Sequence, residues 1–362
     1  MEEINDLIYI SRFYGEDSDY IIAGGGNTSY KNDQYIWVKA SGQQLKEIAN
    51  KGFVQLDRNK LSIINTKKYG TNVVVREEEV KQDLLASKVD EDPLRPSVET
   101  SIHDIFNYPY VVHTHATYLN AVLCSEEAEK NCRKLFGEDI LYIPYVDPGY
   151  VLFKEIQSKL EDYRAAFKKE PDVIFMENHG VFVGANDIKK IKEVYANLDR
   201  IVKSNIGEDP ENKFTRNWPR EEMENIVRGL TDEAFGYFES SLWKKIRENG
   251  MVDAIRKPFI PDHIVYCKAF PLIVEDVNQL DVMYSRYKKE RGYAPKIIAL
   301  INGGIFVLDN EKSLRNTFEV FADWMKIALL SQYFGGPHHL NEQEINFIEN
   351  WEVENYRRKQ VL

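Results

Sequence analysis

Short apolar, β-branched runs alternate with longer amphipathic stretches along the first 206 residues. Residues 35–39, 110–113, 140–144, 173–176 and 181–184 are compact runs of this kind and predict strands. Between them, residues 1–20, 45–49, 81–86, 98–106, 116–124, 151–167 and 187–205 read as helices. In 98–106 the apolar positions Val98, Ile102, Ile105 and Phe106 share one face, and Pro96 suits a helix start. Mixed strands and helices of this kind predict an α/β fold with helices layered on a sheet. The segment 207–218 is polar, is followed by Pro219 and contains Pro210, and reads as a boundary. Residues 221–249 then predict helix, a second α/β portion follows, and 342–359 predict a terminal helix. The expected division is a domain at 1–206 and an α/β extension at 207–362.

One internal echo bears on that extension. The stretch from Pro171 to Val183, with Asn178-His179-Gly180 at its turn, aligns without gaps on Pro295 to Val307, with Asn302-Gly303-Gly304. A helix-like run follows each. The extension therefore reads as a degenerate copy of the strand-turn-strand-helix unit, with Gly303 where the first copy has His179; chance similarity of two short units is the competing reading.

Composition narrows the function classes. At 362 residues with 43% hydrophobic and 29% charged residues, the chain can bury a sizeable core. A formal charge of −11 leaves no basic surplus for general nucleic-acid binding. Cys124, Cys132 and Cys267 form neither a disulfide framework nor a paired-cysteine clamp, which points to a reducing, cytoplasmic setting. The start is acidic without an apolar signal core, and the longest apolar stretch, near 297–308, is broken by Asn302-Gly303-Gly304, so no membrane anchor is expected.

The candidate chemistry centres on Val111-Val112-His113-Thr114-His115. Side chains two apart on a strand point the same way, so the two imidazoles make a two-point grip for a metal ion. A third histidine, His179, ends another apolar run, and Glu99 follows Pro96-Ser97-Val98. Three histidines and one carboxylate suit a catalytic zinc with an exchangeable position. Gly24-Gly25-Gly26 lacks the lysine of a nucleotide-binding loop.

In these motifs the chain resembles the class II aldolase/adducin family. The likeness rests on Gly26-Asn27-Thr28-Ser29, Ser41-Gly42, Pro96-Ser97-Val98-Glu99, Val112-His113-Thr114-His115-Ala116, Pro144-Tyr145 and His179-Gly180, in the family's order over about residues 15–205. It is most similar to the aldolase half of two-domain rhamnulose-phosphate aldolase/lactaldehyde dehydrogenases, sharing also Leu135-Phe136-Gly137 and Val146 and extending through Pro261-Asp262-His263 toward Trp351. No GxGxxG of a dehydrogenase half is present in the chain.

The resemblance implies a central β-sheet flanked by helices in three layers. His113, His115 and His179 would hold Zn²⁺ or another divalent metal. Glu99 would be the acid/base and a further metal contact, and Tyr145 would act on the aldehyde side. Asn27, Ser41, Gly42 and Ser97 would bind phosphate. Val98 and Gly24 depart from the fuculose-phosphate enzyme, which has serine and threonine there. Lys39 reads either as a compensating charge or as a solvated strand-end lysine. His103, four residues after Glu99, reads either as a partner of the site or as a packing histidine, and His263, His338 and His339 as structural or surface residues.

The expected reaction is zinc-dependent cleavage of L-rhamnulose 1-phosphate or L-fuculose 1-phosphate to dihydroxyacetone phosphate and lactaldehyde, by a cytoplasmic homo-oligomer, a tetramer by resemblance. The charge left beside a carbonyl when the carbon–carbon bond breaks is what a bound cation stabilises. A sugar-phosphate 4-epimerase or dehydratase would use the same ligands. A non-catalytic, adducin-like interaction module would not need all four of them.

Overall fold

A computed structural model describes residues 2–91 and 93–351 and resolves two compact units, Met1–Leu123 with Glu127–Asn205, and Cys124–Glu126 with Ile206–Leu362. The first unit carries a seven-stranded sheet. Its strands are β1 (Asn27–Lys31), β2 (Tyr35–Lys39), β3 (Phe53–Asp57), β4 (Tyr110–Thr114), β5 (Leu141–Ile143), β6 (Val173–Met176) and β7 (Gly180–Ala185), in the spatial order β3-β2-β1-β4-β7-β6-β5. Only β5 and β6 run parallel; every other neighbour is antiparallel. The central strands β4, β6 and β7 are buried at every position, because helices cover both faces.

The helices of this unit are α1 (Glu2–Gly15), α2 (Val73–Ala86), α3 (Thr100–Ile105), α4 (Thr117–Leu123), α5 (Ala128–Phe136), α6 (Tyr150–Phe167) and α7 (Ile188–Lys203), besides shorter turns. The two longest helices each bury one stripe. In α6 the stripe is Leu152, Phe153, Ile156, Leu160 and Tyr163, packed with Ile102, Phe106 and Val111. On α7 it is Ile191, Tyr195, Leu198 and Val202. The Asp187 side chain caps α7 by accepting from the Lys190 N–H, a contact worth about 1 kcal/mol. Tyr195 donates to the Val112 carbonyl and accepts from Thr114, fastening α7 to the strand that carries His113.

The second unit has its own five-stranded sheet: β8 (Phe214–Asn217), β9 (Phe235–Ser240), β10 (Leu272–Val274), β11 (Ile297–Leu300) and β12 (Ile305–Leu308), ordered β10-β11-β12-β9-β8. Its helices are α8 (Glu221–Leu230), α9 (Ser241–Glu248), α10 (Pro261–Cys267), α11 (Leu280–Arg291), α12 (Leu314–Ser331) and α13 (Glu342–Asn350). Strand order and directions match β5-β6-β7-β4-β1: one parallel pair at the β10 edge, then antiparallel pairs.

The register matches as well. Val173 pairs with Val183 and Ile174 with Phe182, while Ile297 pairs with Val307 and Ile298 with Phe306, each number 124 higher. The N–H of Glu177 donates to the Ile143 carbonyl, and that of Ile301 donates to the Val274 carbonyl. The aligned segments found in the sequence therefore occupy the same place in two sheets of like topology.

Several elements depart from the sequence expectations. Residues 221–249 form no single helix: β9 interrupts them, its Phe235, Tyr237 and Phe238 packing into the second unit. The polar segment 207–218 contains β8, an edge strand whose Thr215, Arg216 and Asn217 are exposed, so its polarity marks a sheet edge. Residues 45–49 give only one 3₁₀ turn, Leu45–Glu47, and α3 begins at Thr100, which leaves Glu99 as the residue preceding it. The expected terminal helix is seen as α13; its continuation to 359 lies outside the described residues. Among the described residues, no helix is long and apolar enough to cross a membrane.

Candidate metal centre and its surroundings

The antiparallel ladder lines up Asn27 on β1, His113 on β4 and Phe182 on β7 as successive neighbours across the sheet. His113 is fully buried and stacks on Phe182 at 4.2 Å between ring centroids. His115 lies one residue beyond β4, and His179 sits in the turn between β6 and β7. That turn requires a left-handed residue, Asn178 (φ 50°), a conformation asparagine tolerates. Its N–H donates to the Leu123 carbonyl, and Asn120 donates to the carbonyl of His179.

The three imidazoles converge, with one ligand nitrogen from each within 4.8 Å of the others. Glu99 closes the group: its Oε1 lies 3.5 Å from His113 Nε2 and 3.3 Å from His179 Nε2. His113 Nδ1 faces the Val181 carbonyl at 2.9 Å, so this nitrogen carries the proton and Nε2 presents a lone pair. That lone pair lies 3.0 Å from Nε2 of His115, a spacing that a shared proton or cation relieves. Burial, reinforced by His115 and His179 against the pull of Glu99, holds His113 well below the usual histidine range, in its neutral ligating form. Burial pushes Glu99 upward, but His113, His179 and the Asn27 amide outweigh it and keep the carboxyl well below its usual range. Three imidazole nitrogens with one ionised carboxylate form a donor set that fits a divalent cation of the zinc type.

Asn27 and Ser97 belong to this network. Asn27 Nδ2 donates to Glu99 Oε2 at 2.6 Å and to Ser97 Oγ at 3.2 Å, and Ser97 Oγ also accepts from the Glu99 N–H. The reading of His103 as a packing histidine is corrected: its Nε2 meets Asn27 Oδ1 and its Nδ1 meets Ser29 Oγ at 2.7 Å. Burial lowers His103 to about 3, so the ring is neutral. The chain of contacts His103–Asn27–Glu99 fixes which end of the amide faces the carboxylate. The four-residue spacing from Glu99 was the signal for this; the strand that supplies Asn27 and Ser29 was not legible locally.

Ser41 and Gly42 stand at a separate turn. The Ser41 N–H donates to the Arg95 carbonyl, and Gly42 takes φ 82°, the left-handed region that glycine enters at no cost. Lys39 is buried rather than solvated: its Nζ donates to the Gly24 and Gln43 carbonyls at 2.9 and 3.0 Å. It thereby ties the Gly24-Gly25-Gly26 turn to the Ser41-Gly42 turn and places a positive charge between them. Tyr145 is held on the loop after β5, its N–H on Glu177 and its hydroxyl turned to Asp147 at 3.4 Å. His263 is a core residue of the second unit, stacked on Trp324 and 3.3 Å from Asp323.

A family model described as the class II aldolase and adducin N-terminal domain matches residues 5–206. Over 300 residues the chain is 22% identical to the uncharacterized oxidoreductase YuxG of Bacillus subtilis (strain 168), covering 75% of this chain and 42% of that protein. The chain thus spans less than half the length of this curated relative. Among solved structures, the N-terminal class II aldolase domain of a conserved protein from Thermoplasma acidophilum is 27% identical, covering 56% of this chain and 92% of that one, with a TM-score of 0.48. An L-fuculose 1-phosphate aldolase is 19% identical, covering 63% and 95%, with a TM-score of 0.39. A sugar-phosphate aldolase from Thermotoga maritima is 15% identical, covering 56% and 93%, with a TM-score of 0.40.

Proposed function

We propose, from the premise that this chain belongs to the class II aldolase and adducin family, that it is a divalent-metal-dependent aldolase. Its substrate on this reading is a 1-phosphorylated 6-deoxyketose, L-rhamnulose 1-phosphate or L-fuculose 1-phosphate, and its products are dihydroxyacetone phosphate and lactaldehyde. The observation that carries the reading is the convergence of His113, His115 and His179 on one point beside Glu99. A non-catalytic module has no physical need for a buried carboxylate among three imidazoles.

His113, His115 and His179 would hold Zn²⁺, with Glu99 as a further contact when no substrate is bound. A cation there supplies electrophilic stabilisation of the charge that develops beside the substrate carbonyl. Glu99 is the acid/base: Asn27 engages Oε2, and Oε1, on the side of His113 and His179, is the oxygen that would move a proton at the carbon next to the carbonyl. Ser41 and Gly42 with Asn27 and Ser97 are assigned to the phosphate, and Lys39 provides the nearby positive charge that Gly24 and Val98 do not replace by hydroxyls. Asn27 and Ser97 also hold Glu99, so the same two side chains would couple phosphate binding to alignment of the base. Tyr145 is assigned to the aldehyde side. A cytoplasmic homo-oligomer, tetrameric by family likeness, belongs to the same proposal.

The test is dihydroxyacetone phosphate release from each sugar phosphate, with and without a chelator. Chelator-sensitive release supports the aldolase and ranks the two sugars. A metal-loaded protein that releases none from either overturns it, and a new epimer or dehydrated product in the same mixture assigns the site to that chemistry instead.

A further inference from the structure

Matching the two sheets residue by residue shows what the second unit has in place of the metal centre. His113 pairs with Phe182, and Tyr237 pairs with Phe306, the counterpart of Phe182; the ladder therefore sets Tyr237 in the place of His113 and, two residues on, Glu239 in that of His115. Asn27 pairs with His113 on the neighbouring strand, and Asn217 pairs with Tyr237. Gly303 stands in for His179 and Gly304 for Gly180. All three imidazole positions are thus lost, yet the turn that carried one of them is kept. Trp243 Nε1 donates to the Leu300 and Gly303 carbonyls, and the Tyr237 hydroxyl accepts from the Gly304 N–H.

The space over this turn is open. A cavity of about 1640 Å³ is lined by Tyr237, Glu239, Asn302, Gly303 and Gly304, the positions equivalent to the metal centre, together with Trp243. On its remaining wall Lys213, Arg216, Lys244 and Arg315 are paired with Glu211, Glu311, Glu248 and Glu319, which leaves Arg220 and Arg247 as cations with no ion pair among the described residues. Arg247 is anchored by Nη1 on the Ile301 carbonyl, and its Nε is buried with no hydrogen-bond partner among the described residues. Trp218, on the same wall, is 85% exposed, which leaves a flat apolar face for a ring to cover.

We infer that this cavity is a second, metal-free binding site for a small phosphate ester carrying a sugar or similar ring, held by Arg220 and Arg247 at the phosphate and by Trp218 at the ring. Guanidinium groups are suited to phosphate because their N–H donors match its oxygens in pairs. With no imidazole and no buried carboxylate at the turn, the site binds its ligand without turning it over. It is independent of the reaction assigned to the first unit.

The experiment uses the full chain and three probes: ribose 5-phosphate, glycerol 3-phosphate and unphosphorylated ribose, titrated calorimetrically and by tryptophan fluorescence. A His115→Ala variant in chelator strips the metal from the first unit but leaves its assigned phosphate contacts in place, so Arg220→Glu and Arg247→Gln decide which unit holds the ligand. The expected result is that ribose 5-phosphate saturates this variant, quenches fluorescence, and binds more tightly than glycerol 3-phosphate, while ribose does not bind. Arg220→Glu and Arg247→Gln should each weaken binding about tenfold or more, and Trp218→Ala should remove the quench. Arg220 and Trp218 are exposed, so their variants test the site without threatening the fold. Absence of saturable binding by either phosphate ester overturns the inference. So does binding that survives Arg220→Glu and Arg247→Gln undiminished, since the ligand then occupies the first unit.

Discussion

Replacing Gly180 by alanine would put a methyl carbon 2.3 Å from the carbonyl oxygen of Thr114 and 3.1 Å from Cδ2 of His115. Carbon atoms essentially never approach closer than 3.0 Å in such contacts, so Thr114 or the β6–β7 turn must retreat by about 0.7 Å. Thr114 lies between His113 and His115, and Gly180 follows His179, so any retreat separates the histidines. Neither side is free to yield cheaply, because β4 and β7 are central strands bonded along Thr114–Val181 and His113–Phe182. Overpacking of this kind costs about 1–3 kcal/mol of stability. A site that must be held within roughly 0.5 Å loses more in function. The expected outcome is a fall in metal affinity and turnover on the order of a hundredfold. Denaturant unfolding gives the first quantity; metal competition against a chromophoric chelator gives the second. Gly70→Ala is the control, since a methyl there meets nothing within 4 Å. A Gly180→Ala protein with unchanged stability and metal affinity would refute the claim that the close strand–turn approach sets the ligand geometry.

Other perturbations probe separate parts of the network. Glu99→Gln keeps an acceptor for Asn27 but removes the charge; turnover should fall about 10²–10⁴-fold with metal content, read by atomic absorption, maintained by the three imidazoles, and an active, metal-loaded variant would sink the acid/base role. His103→Ala leaves Asn27 Oδ1 and Ser29 Oγ without their buried partner, so unfolding should cost about 1–3 kcal/mol less per orphaned group and kcat should drop with it, whereas His103→Gln should recover part of both; wild-type behaviour of the alanine variant would contradict the assigned contact. Burial lowers Lys31 from 10.5 to about 7 while its Nζ donates to the His103 and Phe106 carbonyls. Between those values the unfolded chain binds the extra proton, so wild-type stability relative to Lys31→Met should rise by about 2–3 kcal/mol from pH 6.5 to 9; urea unfolding at both pH values that gives a constant difference would show that the ammonium stays charged.

The local pattern of the chain was enough to locate the candidate centre. The HxH spacing at the end of an apolar run predicts His113 and His115 on one side, and His115, though one residue beyond β4, does converge with His113; the run ending at His179-Gly180 marks its turn, because such patterns are a property of neighbouring residues. The likeness between residues 171–183 and 295–307 was legible for the same reason. What required the tertiary structure was every relation between distant strands. Asn27 meets Glu99, and His103 meets Asn27, only through the β1–β4 register. For Lys39 the sequence left a compensating charge and a solvated strand end as alternatives, and the side chain proves buried because two remote turns offer it carbonyls. β9 was hidden among helix-forming neighbours, since its stability comes from β12 and β8 rather than from local propensity. The correspondence of Tyr237 with His113 is likewise invisible in sequence, where no motif links them; hydrogen-bonded register defines it, and register is set by which side chains the sheet can bury.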